Sequence, residues 1–189
     1  MTIKEMVDLA TSIIGRKDVK DFLNGKDDVL EETLKVVDDL VALSGLVIKE
    51  LSATFIPMYK KEKISSQNGE IYYVNLSQKV AEIVGVYDVN GKKVDYEITP
   101  EYIKVGGGEF LVEYEVVPPN YTLNDEIGYM DCEVPLVILS YGLVAEYYVC
   151  TGRFEQAVMW HERYVDAINS LRKTKNLKVK TRSFIWKNR

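Results

Sequence analysis

Histidine is almost missing from this 189-residue chain, which carries only His161. A multi-histidine metal site is thereby excluded. Cysteine is scarce as well. Cys132 and Cys150 have no zinc-ligand spacing, and with no export pattern at the N-terminus they read as reduced, buried thiols of an intracellular protein, a disulfide being the lesser alternative. Long hydrophobic runs are lacking: the most apolar stretch, Leu136 to Cys150, falls short of the ~20 residues a bilayer core needs, so no membrane contact is expected. There is no phosphate-binding loop, dinucleotide fingerprint or nucleophile elbow. The triglycine Gly106-Gly107-Gly108 has no helix behind it and reads as a turn. No cofactor is implied.

Acid is absent from the last eighteen residues, where Arg172, Lys173, Lys175, Lys178, Lys180, Arg182, Lys187 and Arg189 give a charge of +8. The other residues hold 16 basic against 29 acidic side chains, a net −13. Such a division asks for a partner, or a neighbouring copy, to accept the tail. At 47% hydrophobic and 28% charged the chain has the composition of a globular protein, of one domain or one domain with an insertion.

Thr2 and Glu5 form a capping-box pattern ahead of Ile3, Met6, Val7, Ala10, Ile13 and Ile14, an amphipathic helix ending at Gly15. A short turn of helix around Asp18 to Asn24 stops at Gly25. Asp27 and Asp28 can then cap a long helix with the seam Leu30, Leu34, Val37, Val41, Ser44, Ile48, Leu51 and Phe55. Gly45 inside it predicts either a close neighbour or a bend. Pro57 ends it. From Tyr59 to Val117 the period becomes two, in Ile71 to Leu76, Val84-Val86, Val94-Tyr96-Ile98 and Phe110-Val112-Tyr114-Val116. Asn90-Gly91 is a hairpin signal and Pro118-Pro119 closes the module, for which five or six strands are expected.

Pro135 opens a helix over Leu136 to Cys150 that is apolar all round and must be covered all round. Its follower, from Arg153 to Lys173, repeats Phe154, Ala157, Val158, His161, Val165, Ile168 and Leu171 at helical spacing. The expected fold class is α+β, a helical bundle with an inserted antiparallel β-module and an extended tail. The segments are 1–57, N-terminal helices; 58–119, β-module; 120–171, C-terminal helical hairpin; and 172–189, basic tail. So much apolar helix predicts packing between copies through Leu136, Leu139, Tyr141, Leu143, Tyr147, Tyr148 and Trp160.

No catalytic constellation is visible. Trp160, His161, Glu162 and Arg163 point in different directions on one helix, and the pairs Asp27-Asp28, Glu31-Glu32 and Asp38-Asp39 read as solvated faces. The thirteen tyrosines fit core and interface better than a stacking platform. The basic tail admits a solvated, a nucleic-acid-binding or a protein-docking reading; Phe184, Ile185 and Trp186 favour docking, because charge alone has no use for them. A small-ligand site or enzyme on the β-module would need a convergent polar set, which is not apparent.

The order of elements resembles the head-tail connector proteins of tailed bacteriophages, also called adaptor or head-completion proteins. The resemblance rests on helices ending at Pro57, on Val86-Tyr87-Asp88-Val89-Asn90-Gly91 and Val112-Glu113-Tyr114, and on Pro135-Leu136, Tyr141-Gly142-Leu143-Val144-Ala145-Glu146-Tyr147-Tyr148, Gly152-Arg153, Glu155-Gln156-Ala157 and Trp160. It implies a non-enzymatic virion protein of the neck, assembled in the host cytoplasm. It further implies a dodecameric ring around a DNA channel, a tail docked on the portal protein, and a tail-side neck partner, with double-stranded DNA passing without sequence-specific contact. An acidic wall would let that DNA slide. The β-insert departs from the purely helical connectors. A nucleic-acid-binding module using the tail is the alternative.

Overall fold

Thr2 begins the first helix, α1 (Ile3–Ile14), by accepting the Glu5 amide on its hydroxyl at 3.2 Å while the Glu5 carboxylate accepts the Thr2 amide at 2.8 Å. Gly15, at φ 77°, closes it in the left-handed conformation that glycine alone adopts without strain. The computed structural model describes residues 1–26, 30–129 and 133–175. A seven-residue α2 (Lys17–Leu23) leads to the long α3 (Glu31–Glu50), and after the β-module come α4 (Leu136–Cys150) and α5 (Phe154–Lys175). The observed N-cap of α3 is Leu30, without a side-chain cap bond. Asp27 and Asp28, expected to cap it, lie outside the described residues.

The buried seam of α3 is Thr33, Val37, Leu40, Ser44, Val47 and Ile48, continued by Leu51. Val37, Ser44, Ile48 and Leu51 are buried as predicted, but at the start of the helix Thr33 takes the inward place and Leu30 and Leu34 are exposed. One cause is polar. The Thr33 hydroxyl donates to Asp18 at 3.0 Å, and Asp18 is gripped by Arg16 through bonds of 2.6 and 2.9 Å. Arg16 also donates to the Tyr147 hydroxyl at 3.2 Å, so one arginine-aspartate pair fastens α2 to both α3 and α4. The guanidinium holds the Asp18 carboxyl well below the usual carboxylate range.

After Glu50 the helix widens into a single π-type turn, Leu51–Phe55, in which the Ile56 amide reaches back to the Leu51 carbonyl at 2.8 Å. Pro57 follows, and the chain enters β1 (Tyr59–Ser65). The remaining strands are β2 (Glu70–Tyr72), β3 (Val80–Tyr87), β4 (Glu97–Ile98), β5 (Tyr102–Lys104) and β6 (Glu109–Val116). They form two antiparallel three-stranded sheets, ordered β1-β6-β3 and β2-β5-β4. In β6, Phe110, Val112, Tyr114 and Val116 point inward, as their alternation predicts. The Asn90-Gly91 turn forms, with Gly91 N bonded to Asp88 O at 3.0 Å and Val94 N to Val86 O at 2.9 Å, but the chain then leaves for the other sheet. Tyr73–Asn75 is a short 3-10 turn rather than strand.

At the centre of the helices lies α4, bordered by α1, α3 and α5. Leu139 and Leu143 are 0% exposed, and Ile138, Ser140, Val144 and Ala145 are buried with them. Ser140 satisfies its hydroxyl on the carbonyls of Leu136 and Met6, at 3.0 and 3.3 Å. Gly142 sets the closeness of the crossing: a Cβ there would stand 2.7 Å from Val47 Cγ1 on α3 and 3.1 Å from the Tyr164 ring on α5. The apolar helix is therefore covered within one copy on the sides that face α1, α3 and α5, while Val137 and Val149 remain 39% and 46% exposed. The expectation that Leu139 and Leu143 pack between subunits is corrected: three neighbouring helices enclose them. The chain is α+β, a helical bundle with antiparallel sheets between α3 and α4.

Candidate functional site

What α4 leaves uncovered is one edge. Taking 100° per residue, Val137, Tyr141 and Tyr148 share a side of the helix, and all three are partly or fully exposed. The turn at Thr151-Gly152, with Gly152 at φ 73°, folds α5 back beside them. Along α5 the residues in the seam are Ala157, Tyr164 and Ile168, with Trp160 and Leu171 half-buried. This corrects the predicted stripe in part: Ala157 and Ile168 are buried and Val165 and Leu171 half-buried as expected, but Phe154 and Val158 are 66% and 59% exposed, and His161 is exposed too. Trp160 and Tyr164 take the seam because their large apolar area gains more by burial, and this turns Phe154 and Val158 outward.

At the α4–α5 edge the Tyr141 and Trp160 rings meet at 5.5 Å between centroids, tilted by 45°. Arg163 lies over both, 5.1 Å from the Tyr141 centroid and 5.2 Å from that of Trp160. Arg153 stands 6.0 Å from the Tyr148 ring, which itself abuts Tyr147 at 5.9 Å. Cation–π contacts of this kind hold the guanidinium groups against the rings while leaving N–H groups available to a carboxylate. Among the described residues neither arginine forms an ion pair.

Of the seven predicted packing residues, Tyr141, Tyr148 and Trp160 gather at this edge. Tyr147 is half-buried and engaged by Arg16, Leu136 is half-buried at the start of α4, and Leu139 and Leu143 are core. Arg153, Arg163 and the exposed Phe154, Val158 and Met159 were not anticipated. Trp160 and Arg163 are three apart on one helix, a neighbour relation readable in the sequence; the cross-helix partner Tyr141 is not.

The tail boundary also moves. Arg172, Lys173 and Lys175 belong to the last turns of α5, where basic residues favour helix and suit the negative end of its dipole. Lys178, Lys180, Arg182, Phe184, Ile185, Trp186, Lys187 and Arg189 lie outside the described residues. Cys150 is a free, exposed thiol, not a buried one, and Cys132 lies outside the described residues.

A second surface runs along the outer side of α3. Glu31, Glu32, Asp38 and Asp39 are exposed and make no ion pair among the described residues. Between α3 and the segment after the β-module is an open groove of about 460 Å³ lined by Asp38, Val41, Ala42, Gly45, Leu46, Lys49, Asn120 and Tyr121. Lys49 Nζ donates to Asn120 Oδ1 at 2.7 Å across it. A Cβ on Gly45 would come only to 3.8 Å from the Tyr121 ring, so the predicted tight approach does not account for that glycine. Burial pushes the Tyr121 phenol up to about 12.

At the junction of helices and sheets, Tyr129 donates its hydroxyl to the Ile56 carbonyl, while the Tyr164 hydroxyl is buried with no partner among the described residues. Among the described residues no nucleophile and base converge in the surrounding pockets. Among the described residues no cluster of three or more His, Cys, Asp or Glu is placed to hold a metal ion, and no helix is long and apolar enough to cross a membrane. Neither a protein-family model nor a curated protein matches the chain.

Proposed function

We propose that this chain is a structural neck protein of a tailed bacteriophage, assembling as a ring that joins the portal of the DNA-filled head to the tail and prolongs the DNA channel. The observation that carries the reading is the α4–α5 edge, where Tyr141, Tyr148 and Trp160 sit half-exposed under Arg153 and Arg163. Tyrosine, tryptophan and arginine are the residues that dominate protein interfaces, and contiguous apolar surface on a single copy marks a contact. The buried sides of α4 lend no support, since α1, α3 and α5 cover them within one copy. The charge division adds to the reading: a −13 body suits a wall past which DNA slides, and a +8 terminus suits a receptor groove. The order of elements supplies the connector likeness.

The test uses the full chain and a chain ending at Lys175, each mixed with assembled portal and sedimented. The full chain is expected to travel with the portal and the shortened one to remain behind. Equal binding by both would remove the docking role of the tail; no binding by either would remove the neck reading.

A further inference from the structure

Resting on that reading, and naming the partner of the α4–α5 edge, we infer that this edge receives the acidic outer face of α3 from the next copy, so that subunits join head to tail. The two surfaces lie on different elements of one copy and are opposite in charge. On α3, Asp38 and Asp39 sit beyond the first helical turn, where the helix dipole gives acids no particular benefit, and they form no ion pair among the described residues, although the exposed Lys35 lies one turn before them on the same face. On the other surface, Arg153 and Arg163 have rings beneath them and form no ion pair among the described residues.

Shape agrees with charge. The α3 face is not a flat acidic strip: Leu46, 52% exposed, lines the groove, with Asp38 in the same wall and Lys49 held across it by Asn120. An apolar side chain from the neighbour can seat there while an arginine meets the rim carboxylate, which is the arrangement of an anchored interface. The outermost face of α5 carries Glu155, Glu162 and Asp166, which would repel an acidic helix, so the approach is confined to the arginine-covered flank. Because the two patches differ, each copy has one of each left over after pairing; such a heterologous contact repeats, giving a ring where its rotation closes and a filament where it does not. An isologous contact of one patch with itself would stop at a dimer.

Charge exchange tests this without knowledge of the register. One full-length variant carries Arg153→Glu and Arg163→Glu, the other Asp38→Lys and Asp39→Lys; all four positions are outside the core, and circular dichroism checks that both fold. Self-association is followed by sedimentation velocity at low salt, up to on the order of 1 mM protein. Wild-type protein is expected to associate, each variant alone to associate at least about tenfold more weakly, and the equimolar mixture to recover growth as an alternating polymer. Unchanged association in the aspartate variant, a mixture no better than its parts, or wild type that stays monomeric throughout would each overturn the head-to-tail pairing. Portal binding is scored separately: rings forming on portal with either variant would sink this interface while leaving the neck reading intact.

Discussion

Gly142→Ala probes the statement that α4 is enclosed by its own chain. The added methyl would lie 2.7 Å from Val47 Cγ1 and 3.1 to 3.2 Å from the Tyr164 ring, all buried side chains. Val47 is β-branched and stiff, and the Tyr164 ring is wedged between helices, so neither can yield without disturbing a neighbour. Overpacking of this degree costs about 1–3 kcal/mol, against a gain of about 1 kcal/mol for replacing glycine by alanine inside a helix, leaving a net loss of roughly 1 kcal/mol. Urea denaturation followed by far-ultraviolet circular dichroism measures it. The loss should be the same at protein concentrations differing by about a hundredfold, because the contacts are intramolecular. Combining the change with Val47→Ala should show coupling, the pair costing less than the two singles summed by about 0.5 kcal/mol or more. A stabilised Gly142→Ala protein, or a loss that vanishes at high concentration, would refute the enclosure.

Tyr164→Phe removes a buried hydroxyl that lacks a partner and is expected to raise stability by about 1 kcal/mol in the same assay; a drop would mean that the hydroxyl is bonded. Gly45→Ala, where the new methyl meets only ordinary contact at 3.8 Å, should stabilise by up to about 1 kcal/mol, and a destabilised protein would mean that α3 bends there. Leu139→Ala should cost about 2–5 kcal/mol at any protein concentration, whereas an effect on assembly alone would return this residue to the subunit interface. Asp18 has its carboxyl pKa depressed by Arg16, so its contribution is present above the unfolded-state value of about 3.9 and fades as pH falls through the lower folded-state value. The side chain is 43% exposed, which limits that contribution to about 1 kcal/mol or less. Asp18→Asn should flatten the loss of stability below about pH 4, and an unaltered pH profile would sink this assignment.

Elements whose burial is dictated by local period were legible from the residues. The capping box at Thr2, the stop at Pro57 and the inward face of β6 needed nothing beyond their own neighbours in sequence. The registers of α3 and α5 followed only in part, with Val37, Ser44, Ile48 and Leu51 on one and Ala157 and Ile168 on the other buried as expected, because the rest depends on partners far along the chain. Thr33 faces inward because Asp18 waits for its hydroxyl, and Leu30 and Leu34 are turned out in consequence. On α5, Trp160 and Tyr164 outcompete Phe154 and Val158 for a seam defined by α4. The apolar character of α4 was plain, but not who would cover it: periodicity reports that a surface must be hidden and is silent on whether the cover comes from the same chain. The candidate site was half visible for the same reason, with Tyr141, Tyr148 and Trp160 recognised as interface material and the arginines above them not, since a cross-helix stack leaves no mark in spacing.

The ring is tested most directly by negative-stain imaging of the full chain mixed with assembled portal. A closed annulus of this protein, coaxial with the portal and open at its centre, is the predicted result. Portal particles unchanged in outline, with the chain remaining as single copies in the background, would contradict it.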